Sequence, residues 1–227
     1  MKEINIKGAV LDNMSGDMYD YLGIENTHPK MVSDVLNSAD NAEDIVVNIA
    51  SPGGNVDAAS EIYTQLKQYA GKVIVNIQGL AASAASFIAM AGDEVNISPT
   101  AQIMIHKAST FSGGNSEDMT STANMLSQID KSIANAYQLK TGKSQADLLQ
   151  MMANETWLTA QDAIDGGFAD TILFVDEKAP LVTNGFDYGP TPEAVNKFMT
   201  IMTNNKQANS QPTDDLKSRK LAILLGK

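Results

Sequence analysis

The stretch between Asp44 and Gln78 constrains this chain more than any other. A β-branched run, IVVNIA, is followed at once by Ser51-Pro52-Gly53-Gly54. Val56, Ala59, Ile62, Tyr63, Leu66 and Tyr69 then fall at the spacing of one helix face, and a second run, VIVNIQ, follows Gly71. Strand, glycine-rich junction, amphipathic helix and strand form one crossover unit. Such a unit joins parallel strands and directs the chain to an α/β layer architecture. Its junction sits at the carboxyl end of a strand, where open α/β sheets place ligands.

The same alternation runs through most of the sequence. Strands are expected over 4–10, 44–50, 72–78, 94–97, 102–105 and 171–175, with a buried helix of small residues over LAASAASFIAMAG that ends at Gly92. Met119, Ala123, Leu126, Ile129, Ile133 and Tyr137 make one apolar stripe on a longer helix from Asn115 to about Thr141, stopped by Gly142. Thr159 and Asp162 read as an N-cap pair, with Gly166-Gly167 as the stop. Regular alternation fades after about Lys178. The expected organisation is therefore one α/β domain over 1–178 and a C-terminal extension over 179–227, with a polar linker at about 204–215 ahead of LKSRKLAILLGK. That last segment suits either a docking helix or a solvated tail. No repeat of solenoid period is present.

Composition narrows the chemistry. The 227 residues carry 16 Lys and Arg against 27 Asp and Glu, a formal charge of -11, which repels nucleic-acid phosphates and anionic membrane faces. With no cysteine, disulfides, thiolate catalysis and cysteine-ligated metals are excluded. MKEINIKGAV lacks the apolar stretch of a signal peptide, and no window reaches the roughly 18 apolar residues of a membrane helix. A cytoplasmic protein without nucleic-acid or membrane partners is expected. The chain has no nucleotide-binding motif, and no cofactor or metal is expected.

Only two histidines are present, His28 and His106. His28 precedes Pro29 at a helix start and has no motif around it. His106 ends the apolar run QIMI, where a ring is either a satisfied structural group or a base at a strand end. Ser83 follows the strand VIVNIQ and Gly79-Leu80 at the start of a helix, a junction that raises a hydroxyl and favours developing negative charge. Alternatively, the small residues there serve close helix packing, and Ser86 is a rival nucleophile one turn on. Ser51-Pro52-Gly53-Gly54 reads as a tight turn, or as glycines that let a backbone N–H approach a reacting carbonyl. A phosphate cradle is disfavoured because the Lys-Ser/Thr ending of such loops is missing.

Taken in order, SPGG (51–54), GLAAS (79–83), MIH (104–106) and ETWLTAQDAIDGGFAD (155–170) resemble the proteolytic subunit of Clp peptidases, above all phage-encoded relatives that process procapsid proteins. The resemblance implies a ClpP/crotonase-like fold of stacked βαβ units with a protruding handle helix. It implies Ser83 as nucleophile, His106 as general base and Glu155 as the acid, where the family has Asp. Backbone N–H groups of Gly54 and Ala84 would form the oxyanion hole. The handle would start near Phe111-Ser112-Gly113-Gly114, and substrate would add as a strand. No counterpart of the family's ATPase-docking axial loops is found in MKEINIKGAVLDNMSGDMYDYLGIENT. The implied protein is an ATP-independent serine endopeptidase acting on peptide or protein substrates. It would assemble as a ring of six or seven subunits, single or stacked in two, and process scaffold or capsid proteins in phage head maturation. Two other readings stay open: a crotonase-like acyl-CoA enzyme, and a catalytically inactive assembly factor.

Overall fold

The computed structural model describes residues 1–40, 43–175 and 197–198. The chain divides into two units, Met1–Val175 and Asp176–Lys227. All elements below belong to the first. The linker expected at 204–215 and the segment after it lie outside the described residues. In chain order the elements are β1 (Lys2–Val10), α1 (Asn13–Tyr21), β2 (Asn26–Thr27), α2 (Pro29–Ser38), β3 (Ile45–Gly54), α3 (Val56–Gln68), β4 (Val73–Ala82), α4 (Ala84–Ala89), β5 (Glu94–Ile97), β6 (Gln102–Ile105), α5 (Ser116–Thr141), α6 (Gln145–Ala153), β7 (Thr156–Leu158), α7 (Ala160–Asp165) and β8 (Thr171–Ile172).

The strands form one sheet in the order β2-β1-β3-β4-β5-β8, with β6 on β4 and β7 on β6. Every pairing is parallel except that of β6 with β7. An Asn-Ile step recurs in β1, β3, β4 and β5 and fixes their register. Ile6, Ile49, Ile77 and Ile97 are fully buried on one face. On the other, Asn5, Asn48, Asn76 and Asn96 are aligned across the strands, with the amides of Asn96, Asn76 and Asn48 donating to Asn76, Asn48 and Asn5 in turn at 3.3–3.5 Å. A slip of one residue would exchange these two sets between faces and bury unpaired amides in the apolar layer.

The sheet forks at β4. Its first half pairs with β5 (74–77 against 94–97) and its second half with β6 (80–82 against 102–104). Leaving β5 lets the strand run past Gly79 to Ala82, so Leu80–Ala82, expected as helix, is strand, and helix begins only at Ala84. The expected turn at 51–54 is likewise a continuation of β3, bulged between Ile49 and Ser51, with Gly53 and Gly54 opposite Ala9 and Val10. Strand pairing to β1 outweighs the local turn preference of Pro-Gly there. The last strand is shorter than expected, ending at Ile172. The long helix and the Thr159 cap occur as expected, the former with an Asn115–Asp118 capping box and Gly142 in the left-handed region.

Candidate active site

The fork positions the candidate nucleophile. Strand β4 ends at Ala82 and α4 starts at Ala84, so a single residue must turn the chain. Ser83 does so at φ 52 and ψ -122, a conformation that costs an L-residue about 1–3 kcal/mol and is kept where the surroundings over-determine it. Its N–H donates to the Met104 carbonyl of β6 at 2.9 Å, tying the turn to the strand that leads into His106. His106 lies two residues further along, and its Nε2 is 2.7 Å from Ser83 Oγ. That is hydrogen-bond reach between an alcohol and an imidazole, the geometry of an activated hydroxyl.

The segment after His106 is clamped. Lys107 N–H donates to Met152 O at 3.2 Å, and Ala108 N–H donates to Asp130 Oδ1 at 2.8 Å. Asp130 is buried on α5, so the long helix holds the segment that follows His106 in place. No sequence motif pointed to this carboxylate, because a buried Asp inside a helical stripe is visible only once its partner is known.

Gly53 packs directly beneath the nucleophile turn at φ +90, where a Cβ would lie 2.5 Å from Ala82 O, 2.7 Å from Ala84 N and 2.8 Å from Ser83 Cβ. Only glycine fits. Ser51 secures this approach by donating to Gly8 O at 2.6 Å and accepting from Gly53 N–H at 3.1 Å. Gly54 follows at φ +153 against Val10. Ala84 is the first residue of α4, so its N–H is among the donors with no acceptor inside the helix. The rival hydroxyl, Ser86, is fully buried and donates to Ser83 O at 2.5 Å. It is not presented to the cavity of about 10 Å³ that Ser83, Ala84 and His106 line. A wider, mostly apolar groove of about 660 Å³ lies between α3 and α5 and shares Val56, Phe87 and Ile133 with that cavity.

Glu155 is brought to the same edge. Ile105 of β6 pairs with Thr156 of β7 as the last pair of an antiparallel ladder, and His106 and Glu155 are the residues that adjoin that pair in sequence. Its carboxylate is exposed and accepts from the Trp157 indole N–H at 3.3 Å, and among the described residues no hydrogen bond joins it to His106. Glu155 has φ 47, and with Ser83 and Phe174 it makes up the described non-glycine residues at positive φ. Two of these three are therefore candidate site residues. His28 is remote in role: buried at the position just before α2, with its ring nitrogens 3.3 Å from Asn13 Oδ1 and 3.2 Å from Asp20 Oδ2.

Residues 25–176 match the Clp protease family model. The chain belongs to the Clp protease family. It is 29% identical over 197 residues to the ATP-dependent Clp protease proteolytic subunit 1 of Leifsonia xyli subsp. xyli, covering 84% of this chain and 98% of the relative. To the proteolytic subunit 1 of Chlamydia abortus it is 34% identical over 134 residues, 57% of this chain and 70% of the relative. To the proteolytic subunit 2 of Thermobifida fusca it is 31% identical over 153 residues, 66% and 74% of the two chains. This Clp-family chain is a serine peptidase, and its parallel sheet with the long α5 agrees with the ClpP/crotonase fold. The acyl-CoA alternative thereby gives way to the peptidase.

Proposed function

We propose that this Clp-family peptidase hydrolyses peptide bonds in flexible polypeptides, without ATP, through Ser83, His106 and Glu155. The observation that carries the reading is the 2.7 Å contact between Ser83 Oγ and His106 Nε2. His106 takes the Ser83 proton as the oxygen attacks the peptide carbonyl, and the Gly54 and Ala84 N–H groups receive the oxyanion. Collapse of the tetrahedral intermediate breaks the C–N bond while His106 returns the proton to the leaving amine. Water, deprotonated in turn by His106, then clears the acyl-enzyme. Glu155 turns from Trp157 towards the other ring nitrogen, where a carboxylate holds the imidazole's orientation and stabilises its charged form. The same contact weighs against an inactive assembly factor, for which an alcohol and an imidazole at bonding distance have no use.

The relatives are proteolytic subunits by name, which supports a homo-oligomeric ring of six or seven subunits, single or stacked in two. Resemblance of the four ordered motifs to phage-encoded relatives supports scaffold or capsid proteins as substrates, in procapsid or host cytoplasm, with residues 179–227 as an extension outside the peptidase domain. The test is hydrolysis of fluorescein-labelled casein with and without ATP. Wild-type protein is expected to cleave it equally in both conditions, and Ser83→Ala to lose turnover. Cleavage that persists in Ser83→Ala would overturn the assignment, and cleavage that requires added ATP and an ATPase would overturn the ATP independence.

A further inference from the structure

The peptide that carries the Ala84 N–H has its other end, the Ser83 carbonyl, fixed from within the core. Ser83 O accepts from Ser86 N–H at 3.0 Å and from Ser86 Oγ–H at 2.5 Å. A carbonyl oxygen only accepts, so the single hydroxyl hydrogen of Ser86 is committed to it. The Tyr137 hydroxyl lies 2.6 Å from Ser86 Oγ and must therefore be the donor in that contact. Tyr137 is 1% exposed on the inner face of α5, its ring edge-on to Phe168 at 5.8 Å. Burial pushes its phenol well above the usual range, so it keeps its proton and stays a donor.

The chain of donors runs Tyr137 to Ser86 to the Ser83 carbonyl. In a planar trans peptide the C=O and N–H point in opposite directions, so holding Ser83 O from the core aims the Ala84 N–H towards the cavity. A carbonyl that accepts hydrogen bonds also leaves its own amide N–H a stronger donor. Two hydroxyls in an apolar core would otherwise be a cost that Phe and Ala avoid. Here they hold the strained Ser83 turn from the core side.

Resting on the reading of Ser83 as nucleophile and Ala84 N–H as oxyanion donor, we propose that Tyr137 and Ser86 are positioning residues that aim and polarise the Ala84 N–H through the Ser83 carbonyl.

The test compares wild type with Tyr137→Phe, Ser86→Ala and the double variant, in two assays. A fluorophosphonate labels the enzyme by forming a Ser83 Oγ–P bond as the P–F bond breaks, with fluoride leaving and the serine proton passing to His106. The phosphoryl oxygen occupies the oxyanion position. Casein hydrolysis gives kcat and KM. Each single variant is expected to slow labelling and lower kcat by about tenfold, below the full effect of deleting a donor because the N–H is misaimed rather than lost. KM should stay within about twofold, final labelling should reach the wild-type stoichiometry, and the midpoint of the pH profile should not move. The double variant should be no slower than the more impaired single, since both act through one carbonyl. If one single variant fails to fold, the other carries the comparison. A merely structural pair would lower the melting temperature and leave the rate per labelled site unchanged, which would overturn the relay, as would losses that multiply in the double variant. Wild-type protein in which Ser83 never labels would overturn the nucleophile and the relay together. Labelled wild type with unaffected variants overturns the relay alone.

Discussion

Gly53→Ala is the substitution whose consequences the structure specifies most fully. The residue sits at φ +90, so any side chain there carries the conformational penalty of about 1–2 kcal/mol for an L-residue in the left-handed region. Its Cβ would also meet Ala82 O at 2.5 Å, Ala84 N at 2.7 Å and Ser83 Cβ at 2.8 Å, all closer than real Cβ contacts. None of these is the free end of a flexible side chain, so β3 must move away from the nucleophile turn or the turn must move away from His106. Such overpacking costs about 1–3 kcal/mol. The expected destabilisation is about 2–5 kcal/mol by adding the two. The functional loss should be larger than stability alone requires, because the displaced atoms include the Ala84 N–H, the proposed oxyanion donor. Losing one such donor costs about a hundredfold to a thousandfold in kcat. The matched control is Gly23→Ala, at φ +68 with nothing within 4 Å, which shares the conformational penalty but touches no part of the site. Urea unfolding and casein hydrolysis, the latter at a temperature where both variants are folded, separate the two effects. A folded Gly53→Ala protein with the turnover of Gly23→Ala would refute the argument.

Three further outcomes are expected. Glu155→Gln keeps the size of the side chain and removes its charge, and should lower kcat by tenfold or more. Trp157→Phe, which only frees the carboxylate from the indole, should stay within about twofold of wild type; equal effects from the two would remove Glu155 from the site. Asp130→Ala leaves the Ala108 N–H without its acceptor in a buried place and should cost about 1–3 kcal/mol in urea unfolding, whereas Asp130→Asn, which retains an acceptor, should cost less. Finally, the Thr159 hydroxyl and N–H hold the Asp162 carboxyl below its ordinary value of 3.8. A folded-state value below the unfolded one gives stability that is present above about pH 4 and is lost as pH falls through the folded value. The melting temperature should therefore drop on acidification below about pH 4, with a shallower drop in Thr159→Val.

Much of the architecture was legible because it rests on local pattern. The β-branched runs, the helix-spaced stripe of α5 and its Gly142 stop, and the Thr159–Asp162 cap each state their structure within a few residues of themselves. Ser83 and His106 were legible as candidates for a different reason: each stands at a strand end, where a polar side chain is conspicuous. What stayed hidden depends on contacts far apart in sequence. The SPGG segment reads as a turn until β1 is available to pair with it. Leu80–Ala82 reads as helix until β6 is there to extend the sheet. The short β7 has too few residues for any periodicity, although its pairing of Thr156 with Ile105 brings the residue after Glu155 beside the residue before His106. Ser86 and Tyr137, 51 residues apart, show no joint signal, since their link is a single hydroxyl contact in the core.

If His106 makes Ser83 nucleophilic, covalent modification must fall on Ser83 and must depend on the imidazole. Wild-type protein and His106→Ala are treated with a fluorophosphonate, digested, and the adduct is located by mass spectrometry. The adduct is expected at Ser83 in the wild type, with modification at least about a hundredfold slower when the imidazole is gone. An adduct on Ser86 or on a distant hydroxyl, or modification of Ser83 at the same rate without His106, would contradict it.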